Sequence, residues 1–206
     1  MCSSTKKAFF ADYVFKVCEN VYEPAEDSFL FAENLKIGEG EHVLDMGTGC
    51  GILGLLAAKK ASNVLAVDVN PYAVWCAKQN AQLNSVRGKM GFLQGDLFAS
   101  LSEEAKFDVI LFNAPYLPSE AGEVDFWLGR AWAGGATGRQ VIDRFISQAP
   151  RHLKRAGRIL LMQSTLANVE KTQRNFAENH LNSQVVAELA LPFFETLVLL
   201  EANFSV

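Results

Sequence analysis

The chain has 206 residues, half of them apolar and a fifth charged, which is ordinary for a soluble globular protein with one sizeable core. The formal net charge is −4 and no dense basic tract occurs, which disfavours a nucleic-acid binder, because such binding depends on clustered Lys and Arg. No apolar run approaches the length of a membrane span, so a membrane protein is not expected.

Residues 1–20 are expected to be an N-terminal extension, followed by a single domain over 21–206. The first predicted helix covers 24–36, since Pro24 suits a first helical turn and the acidic residues behind it complement the helix dipole. Gly38 is expected to end this helix.

Beyond Gly38, short apolar strands alternate with helices. In chain order we predict strand 42–46, helix 51–60, strand 63–69, helix 71–83, strand 89–94, strand 107–113, helix 139–155, strand 158–163, helix 165–179, and strands 184–189 and 196–201. This alternation indicates a parallel sheet with helices on both faces. The last two strands have no helix between them and should form a hairpin. The predicted fold is therefore α/β: a doubly wound, Rossmann-like, mostly parallel seven-stranded sheet with a C-terminal antiparallel hairpin.

A glycine cluster follows the first strand of this sheet. Gly47 and Gly49 belong to a loop in which Gly49-x-Gly51-x-x-Gly54 matches the dinucleotide fingerprint, with Asp68 at a fitting distance for a ribose. Glycines let the backbone approach a ligand closely, and the next helix directs free N–H groups at it. Taken alone, the match also fits an NAD-type binding protein.

Three carboxylates at successive strand ends favour a different ligand. Asp45, two residues before Gly47, would repel a pyrophosphate but would suit an amino-acid ammonium group. Asp96, followed by Leu97, stands where a carboxylate can accept from an adenine amino group. Together with Asp68, they fit S-adenosylmethionine, which carries an amino acid, a sulfonium, a ribose and an adenine but no phosphate. The alternative is that they are ordinary residues at strand ends. Three carboxylates at successive strand ends favour a ligand site over that alternative.

The strand 107–113 runs into Asn113-Ala114-Pro115-Tyr116. Ligands of open α/β sheets bind beyond the carboxyl ends of the strands, so Asn113 should project into that crevice. Pro115 fixes its own φ and extends Ala114, while Tyr116 offers a flat face with a polar tip. The alternative is a β-turn that merely leaves the sheet.

These four residues predict a clamp for a planar NH2 group. Its two N–H bonds would be donated to the Asn113 side-chain carbonyl and the Ala114 backbone carbonyl. An amide nitrogen is a poor nucleophile because its lone pair is delocalised. Holding it in line with a methyl carbon provides proximity, and accepting from both N–H bonds stabilises the positive charge that develops.

At these residues the chain resembles the class I methyltransferases with an Asn-Pro-Pro-Tyr motif, most of all the HemK-type glutamine methyltransferases of translation release factors. Stretches at 21–28, 131–139 and 192–197 resemble the short archaeal and eukaryotic branch of that family, and the resemblance spans roughly 20–201. Bacterial members add an N-terminal helical domain, for which this chain is too short.

The resemblance implies methyl transfer from S-adenosylmethionine to the glutamine of the Gly-Gly-Gln motif of a class 1 release factor. The residues it implies in cofactor binding are Glu26, Ser28, Gly47, Gly49, Asp68, Asp96 and Asn113. The chain departs from the family at Ala114, where a proline is usual, so the clamp should be less rigid. Ser28 keeps the hydroxyl of the usual threonine.

The short branch works with a small zinc-binding activator protein along the edge strand equivalent to 89–93. Met90, Phe92 and Leu93 make that strand apolar here, and an exposed apolar edge needs a cover. The alternative is that these side chains face the core. The loop 117–137 is long and rich in glycine, which is typical either of a lid that orders around a bound peptide or of a mobile loop.

A second function with the same chemistry is methylation of adenine or cytosine in nucleic acid, since the clamp also suits the NH2 group of a flipped base. The negative charge and the lack of a target-recognition domain disfavour it. The four cysteines are scattered and no zinc-ligand spacing occurs, so we expect no metal site. Scattered thiols and the absence of an apolar stretch after the polar residues 1–7 predict a cytoplasmic location.

Overall fold

The computed structural model describes residues 4–205, apart from the side chains at 4, 5, 121 and 124; Cys2 therefore lies outside it. Its strands are β1 (Ser4–Phe10), β2 (Tyr13–Cys18), β3 (His42–Met46), β4 (Asn63–Asp68), β5 (Met90–Gln94), β6 (Phe107–Asn113), β7 (Leu153–Ser164), β8 (Leu181–Ala190) and β9 (Thr196–Phe204). Its α-helices are α1 (Glu26–Glu33), α2 (Ile52–Ala57), α3 (Pro71–Leu83), α4 (Gln140–Gln148) and α5 (Val169–Glu178).

Seven of the strands form one sheet in the order β5-β4-β3-β6-β7-β9-β8, which confirms the predicted fold. The pairs from β5 to β7 are parallel, whereas β9 runs antiparallel to both β7 and β8, as the predicted hairpin requires. The strand order reverses between β3 and β6. A crevice opens at such a switch point, beyond the carboxyl ends of the strands.

Alternate residues of β6 contribute to two apolar clusters, one on each face of the sheet. Val109 and Leu111 belong to the cluster that includes residues of α1, α2 and α3. Ile110 and Phe112 belong to the cluster that includes residues of α4 and α5. Burial on both faces is why this strand is a continuous apolar run instead of an alternating one.

The helices predicted over 24–36 and 51–60 are shorter, at Glu26–Glu33 and Ile52–Ala57, and two others differ by more at one end. The helix predicted over 139–155 stops at Gln148, and a 3-10 turn at Ala149–His152 leads into β7. Pro150 lacks the N–H that a continuing helix needs. The helix predicted from 165 begins at Val169, because Asn168 caps it there by accepting from the Lys171 N–H at 2.9 Å.

The described part of the expected extension is a hairpin, formed by β1 and β2, that shares the main core. Phe15 is completely buried, and β2 lies against α3. Asn80 of α3 fastens this hairpin to the loop after β3. Its amide nitrogen donates to the carbonyls of Lys16 and Cys50, both at 2.8 Å, and its oxygen accepts from the Lys16 N–H at 2.8 Å.

None of the helices within residues 4–205 is long and apolar enough to cross a membrane.

Replacing Asn80 by alanine should lower the free energy of unfolding by about 2–4 kcal/mol, because the Lys16 N–H and the Cys50 carbonyl lose their bonds to a completely buried side chain and the Lys16 carbonyl keeps only the Cys76 thiol. Urea denaturation measures the change. The control is Asn179→Ala, where a half-buried amide that bonds to the Asn175 carbonyl is removed; it should cost less than about 1 kcal/mol. Equal losses in the two variants would contradict the fastening role of Asn80.

Candidate active site

A cavity of about 800 Å³ lies beyond the carboxyl ends of β3, β4, β5 and β6, which is within the usual size range of small-molecule sites. Most of the residues singled out in the sequence meet in its wall: Ser28, Gly47, Gly49, Asp68, Asp96, Leu97, Asn113, Ala114, Pro115 and Tyr116. Glu26 and Asp45 are not part of the wall.

The glycine loop after β3 presents its backbone to the cavity. Gly47 and Gly49 both have positive φ, +64° and +57°, which non-glycine residues rarely adopt. A Cβ placed on Gly49 would meet nothing closer than the Gly47 carbonyl oxygen at 4.0 Å. The loop therefore leaves open space above its backbone, as a ligand cradle requires.

Asp68, at the end of β4, is held by two backbone N–H groups. Its Oδ2 accepts from Gly49 and its Oδ1 accepts from Asn70, both at 2.9 Å. Burial raises the pKa of Asp68, and the two N–H groups counteract only part of that rise. A carboxylate oxygen has two lone pairs, so both oxygens can accept a further hydrogen bond from a ligand hydroxyl.

Asp45 stabilises the glycine loop from the protein interior and does not line the cavity. It is 1% exposed, and its Oδ2 accepts from the Thr48 hydroxyl at 2.5 Å and from the Gly54 N–H at 3.0 Å. Burial raises the pKa of Asp45 to about 7. The structure thus does not place Asp45 where the expected contact with a ligand ammonium could form, because its carboxyl group is used inside the loop.

Asp96 and Leu97 follow β5 at the cavity mouth. The Asp96 Oδ2 accepts from the Arg144 guanidinium at 2.7 Å, and both side chains are about half exposed. Arg144, from α4, also lines the cavity and was not foreseen in the sequence. Leu97 is buried with φ of +50°, so this turn is held in a conformation that a non-glycine residue seldom takes.

Asn113, at the end of β6, is fixed in one orientation. Its Nδ2 donates to the Asp27 Oδ2 at 3.1 Å and to the Ser28 hydroxyl at 3.3 Å. A carboxylate only accepts, so the nitrogen must be the atom that faces Asp27. The Asn113 Oδ1 is shielded from solvent and has no partner among the described residues. Such an acceptor costs about 1–3 kcal/mol when unpaired, unless a ligand supplies the donor.

Asp27 is the site residue that the sequence reasoning missed. It is buried, and its carboxyl oxygens also accept from the Ser28 N–H at 2.6 Å and lie 3.4–3.5 Å from the hydroxyls of Tyr22 and Tyr116. Glu26, chosen instead, is exposed. Helical spacing does not distinguish the two, because Glu26 also has apolar residues, Phe29 and Leu30, three and four positions on.

The turn after Asn113 is tied to the neighbouring strand. Ala114 and Pro115 are buried, and the Ala114 N–H, which a proline would lack, donates to the Met162 carbonyl of β7 at 3.4 Å. Burial, and secondly the charge of Asp27, raise the pKa of Tyr116 above its ordinary value. The phenol therefore stays protonated at neutral pH and acts as a donor towards Asp27.

The loop 117–137 forms one wall of the cavity. Its two ends are joined, since the Leu117 N–H donates to the Trp132 carbonyl at 3.0 Å and the Gly134 N–H donates to the Leu117 carbonyl at 2.8 Å. Trp127, Arg130 and Trp132 line the cavity, with the Arg130 guanidinium 4.9 Å from the Trp127 ring centroid. The loop is thus a folded wall, with aromatic side chains facing the site.

The strand β5 is an edge of the sheet, as expected for 89–93. Met90 is buried, whereas Phe92 and Leu93 are half-buried and pack against the two core clusters. The side chains of this edge therefore take part in the core and remain partly accessible. Within the described residues, no group of three or more His, Cys, Asp or Glu side chains could hold a metal ion.

Comparisons with known proteins agree with this geometry. Residues 23–128 match the family described as "Methyltransferase small domain". The chain is 42% identical over 186 residues to the Methanocaldococcus jannaschii protein named "Putative protein N5-glutamine methyltransferase MJ0928", covering 89% of this chain and 92% of that one. It is 32% identical to human "Methyltransferase HEMK2", covering 74% of this chain and 75% of that protein.

Among solved structures, Mtq2 in the E. cuniculi Mtq2-Trm112 complex, described as responsible for methylation of the eRF1 termination factor, superposes with a TM-score of 0.70 at 24% identity, covering 90% of this chain and 99% of that chain. The fold is that of a class I methyltransferase. The chain belongs to the methyltransferase small-domain family, in the group of the protein N5-glutamine methyltransferases. It spans about half the length of the bacterial release factor glutamine methyltransferases that it also matches.

Replacing Asp45 by asparagine should stabilise the protein increasingly as the pH rises from 4 to 7. The folded protein keeps the Asp45 proton up to a pKa of about 7, whereas an unfolded aspartate loses it near pH 4. The folded state therefore binds more protons in this window, and the wild-type carboxyl destabilises it progressively. Because asparagine does not ionise, the stability difference should grow with pH, by at most on the order of a few kcal/mol, and then level off.

Denaturation with urea at several pH values measures this difference. The control is Asp108→Asn: burial raises the pKa of Asp108, but its bonds with Lys154 and the His42 N–H outweigh that and lower it. Its effect on stability should therefore be constant between pH 5 and 7 and should change only at lower pH. A constant difference for Asp45→Asn across the same window would contradict the assignment of a protonated Asp45.

Proposed function

We propose that the chain transfers a methyl group from S-adenosylmethionine to the side-chain amide nitrogen of the glutamine in the Gly-Gly-Gln segment of a class 1 translation release factor. The observation that carries the proposal is Asn113, whose nitrogen is bound by Asp27 and Ser28 and whose Oδ1 is shielded and unpaired. An acceptor held in this way fits the N–H of a substrate amide.

The residues of the cavity wall fit the cofactor. The open space above the Gly49 backbone suits close approach of the cofactor, and the tethered carboxyl of Asp68 suits ribose hydroxyls. Asp96 and Leu97 would hold the adenine, and Ser28 completes the wall beside Asn113. When bound, the cofactor supplies an electrophilic methyl group on a positively charged sulfur.

The clamp acts by orientation. The Asn113 Oδ1 and the Ala114 carbonyl would accept the two N–H bonds of the substrate amide, with Tyr116 against its plane. Asp27 prevents the Asn113 amide from turning over, which would present a donor to the substrate instead of an acceptor. The buried Asp27 carboxyl also lies close to where positive charge develops on the substrate nitrogen, which favours the transition state.

No residue has to remove a proton before attack. The substrate nitrogen becomes strongly acidic only after it has received the methyl group, and the proton leaves then. Tyr116 is unsuited as a base, because burial and Asp27 keep its phenol protonated. The chain's contribution to the reaction is therefore proximity and electrostatic stabilisation.

The names of the relatives support the release factor as substrate. The M. jannaschii protein is named for N5-glutamine methylation, and the E. cuniculi complex is described as methylating eRF1. That complex also contains Trm112, which supports a small activator protein for this chain. Its binding along β5 at 89–93 and its own zinc belong to the proposal. The net charge of −4 and the acidic residues of the cavity wall disfavour nucleic acid. A cytoplasmic location, where release factors act, belongs to the proposal.

The test is incubation of the purified chain, with and without a zinc-binding activator protein, with labelled S-adenosylmethionine and a class 1 release factor. Label in the tryptic peptide that contains Gly-Gly-Gln is expected. The matched control is a release factor whose motif glutamine is replaced by glutamate. Equal labelling of this control, or label only in added DNA or RNA, would rule out the proposed substrate.

Asn113→Ala should reduce kcat by about 100-fold or more while the Kd for S-adenosylmethionine changes only a few-fold, because the amide acceptor acts mainly in the transition state. Steady-state assays and calorimetry measure the two quantities. Asp68→Ala is the contrasting variant, in which cofactor affinity should fall first. Undiminished turnover in Asn113→Ala would remove Asn113 from the mechanism.

Asp27→Asn should reduce kcat by about 10- to 100-fold with little change in cofactor affinity, since the Asn113 amide loses the carboxylate that fixes its orientation. The control is Glu33→Gln, at an exposed position of the same helix, which should leave kcat unchanged. Similar kcat values for Asp27→Asn and the wild type would show that Asp27 does not position Asn113.

A further inference from the structure

Two adjacent phenylalanines stand out at the tip of the turn between β8 and β9. Phe193 and Phe194 are 96% and 103% exposed, whereas the next most exposed large apolar side chain among those described, Phe126, is 72% exposed. Single exposed apolar residues are common, but a fully exposed aromatic pair is not. Packing within the chain does not explain these two side chains.

The backbone of the same turn is strained. Phe193 has φ of 62° and ψ of 34°, and Phe194 has φ of 64°. The left-handed region is unfavourable for bulky residues, and strained positions of this kind are concentrated at ligand-binding sites. The turn is nevertheless closed, since the Leu191 N–H donates to the Glu195 carbonyl at 2.8 Å. The two rings are thus held outwards by a defined backbone.

A short series of contacts places this turn beside the cavity mouth. The Thr196 N–H donates to the Thr165 hydroxyl at 3.1 Å, which joins β9 to the turn Thr165–Ala167. A Cβ on Gly138 would lie 3.4 Å from the Ala167 Cβ and 2.1 Å from the Tyr116 carbonyl oxygen, so Gly138 sits between the two. The charge of Glu195 also contributes to the raised pKa of Tyr116, which agrees with this proximity.

We name Leu166, Phe193, Phe194 and Glu195 the rim. Leu166, on the Thr165–Ala167 turn, is 50% exposed. The rim combines apolar rings with the acidic group of Glu195, and the loop 117–137, which lines the cavity, carries Glu120, Glu123 and Asp125. A polyanion is therefore disfavoured here, and the complementary partner is a protein surface that offers apolar contacts next to basic side chains.

We propose that the rim binds the release factor outside its Gly-Gly-Gln segment and so directs the glutamine into the cavity. The inference rests on the proposed function and adds a recognition surface to it. Aromatic side chains dominate binding energies at protein interfaces, and a surface whose backbone is already fixed loses little freedom on binding. The rim thus distinguishes the whole protein substrate from an isolated glutamine amide.

The test is the double variant Phe193→Asn/Phe194→Asn, since asparagine tolerates the left-handed backbone better than other non-glycine residues. We expect the KM for the release factor to rise about tenfold or more, with kcat and the Kd for S-adenosylmethionine within about twofold of the wild type. The control is Phe9→Asn, which removes an exposed ring at the turn end of the β1–β2 hairpin, on the side away from Val21 and Tyr22 of the cavity wall. This control variant should change none of the three quantities: the KM, the kcat and the Kd for S-adenosylmethionine.

The conservative variant Phe193→Tyr/Phe194→Tyr should keep a KM close to that of the wild type, because the rings remain. An unchanged KM in the asparagine variant, or an equal rise in Phe9→Asn, would overturn the inference while the proposed function stood. So would a wild-type dimer, seen by sedimentation, that the asparagine variant loses, because the rim would then be a self-association surface. A wild-type protein that does not methylate release factor would overturn both.

Discussion

The hydrogen bond between the Asp27 carboxyl and the Asn113 amide nitrogen is the contact on which the site depends. It joins the first turn of α1 to the end of β6, two elements 86 positions apart in the chain. It also decides which end of the amide is available, because a carboxylate has no proton to donate. The buried Asp27 carboxyl therefore occupies the donor end of the amide, so that only the amide oxygen, a hydrogen-bond acceptor, is available to a ligand.

Other acidic side chains around the cavity also act as buried acceptors, because they accept hydrogen bonds from nearby backbone N–H groups. The Asp68 carboxyl accepts from the N–H groups of Gly49 and Asn70, and the buried Asp45 carboxyl accepts from the Gly54 N–H. The sheet brings these together because β3 is its switch-point strand, with β4 on one side and β6 on the other. The loops are thus short and fixed, and the one long loop, 117–137, is closed on itself by Leu117.

Periodicity and turn residues were sufficient to predict the sheet, because its central strands are buried on both faces and the helices α2 and α3 begin at Gly51 and at Asn70-Pro71. They failed where a turn lacked such signals. The β1–β2 hairpin turns at Ala11 and Asp12, with Ala11 at φ of 48°, and no glycine marks it. The Asn113–Tyr116 clamp was predictable from residue types, but the choice between Glu26 and Asp27 depended on how α1 packs, because both precede apolar residues at helical spacing. The inward role of Asp45 depended on loop closure around Thr48, which spacing alone does not reveal.

The way in which Asn80 bridges the N-terminal hairpin and the glycine loop has a consequence for where the domain begins. The family match starts at residue 23, yet the segment before it supplies Phe15 to the core and Lys16 to the Asn80 amide. A truncated protein that started at the match would expose the inner side of α3 to water. It would also remove both bonds between Lys16 and the Asn80 side chain that holds the glycine loop, so the catalytic unit has to be expressed with the β1–β2 hairpin.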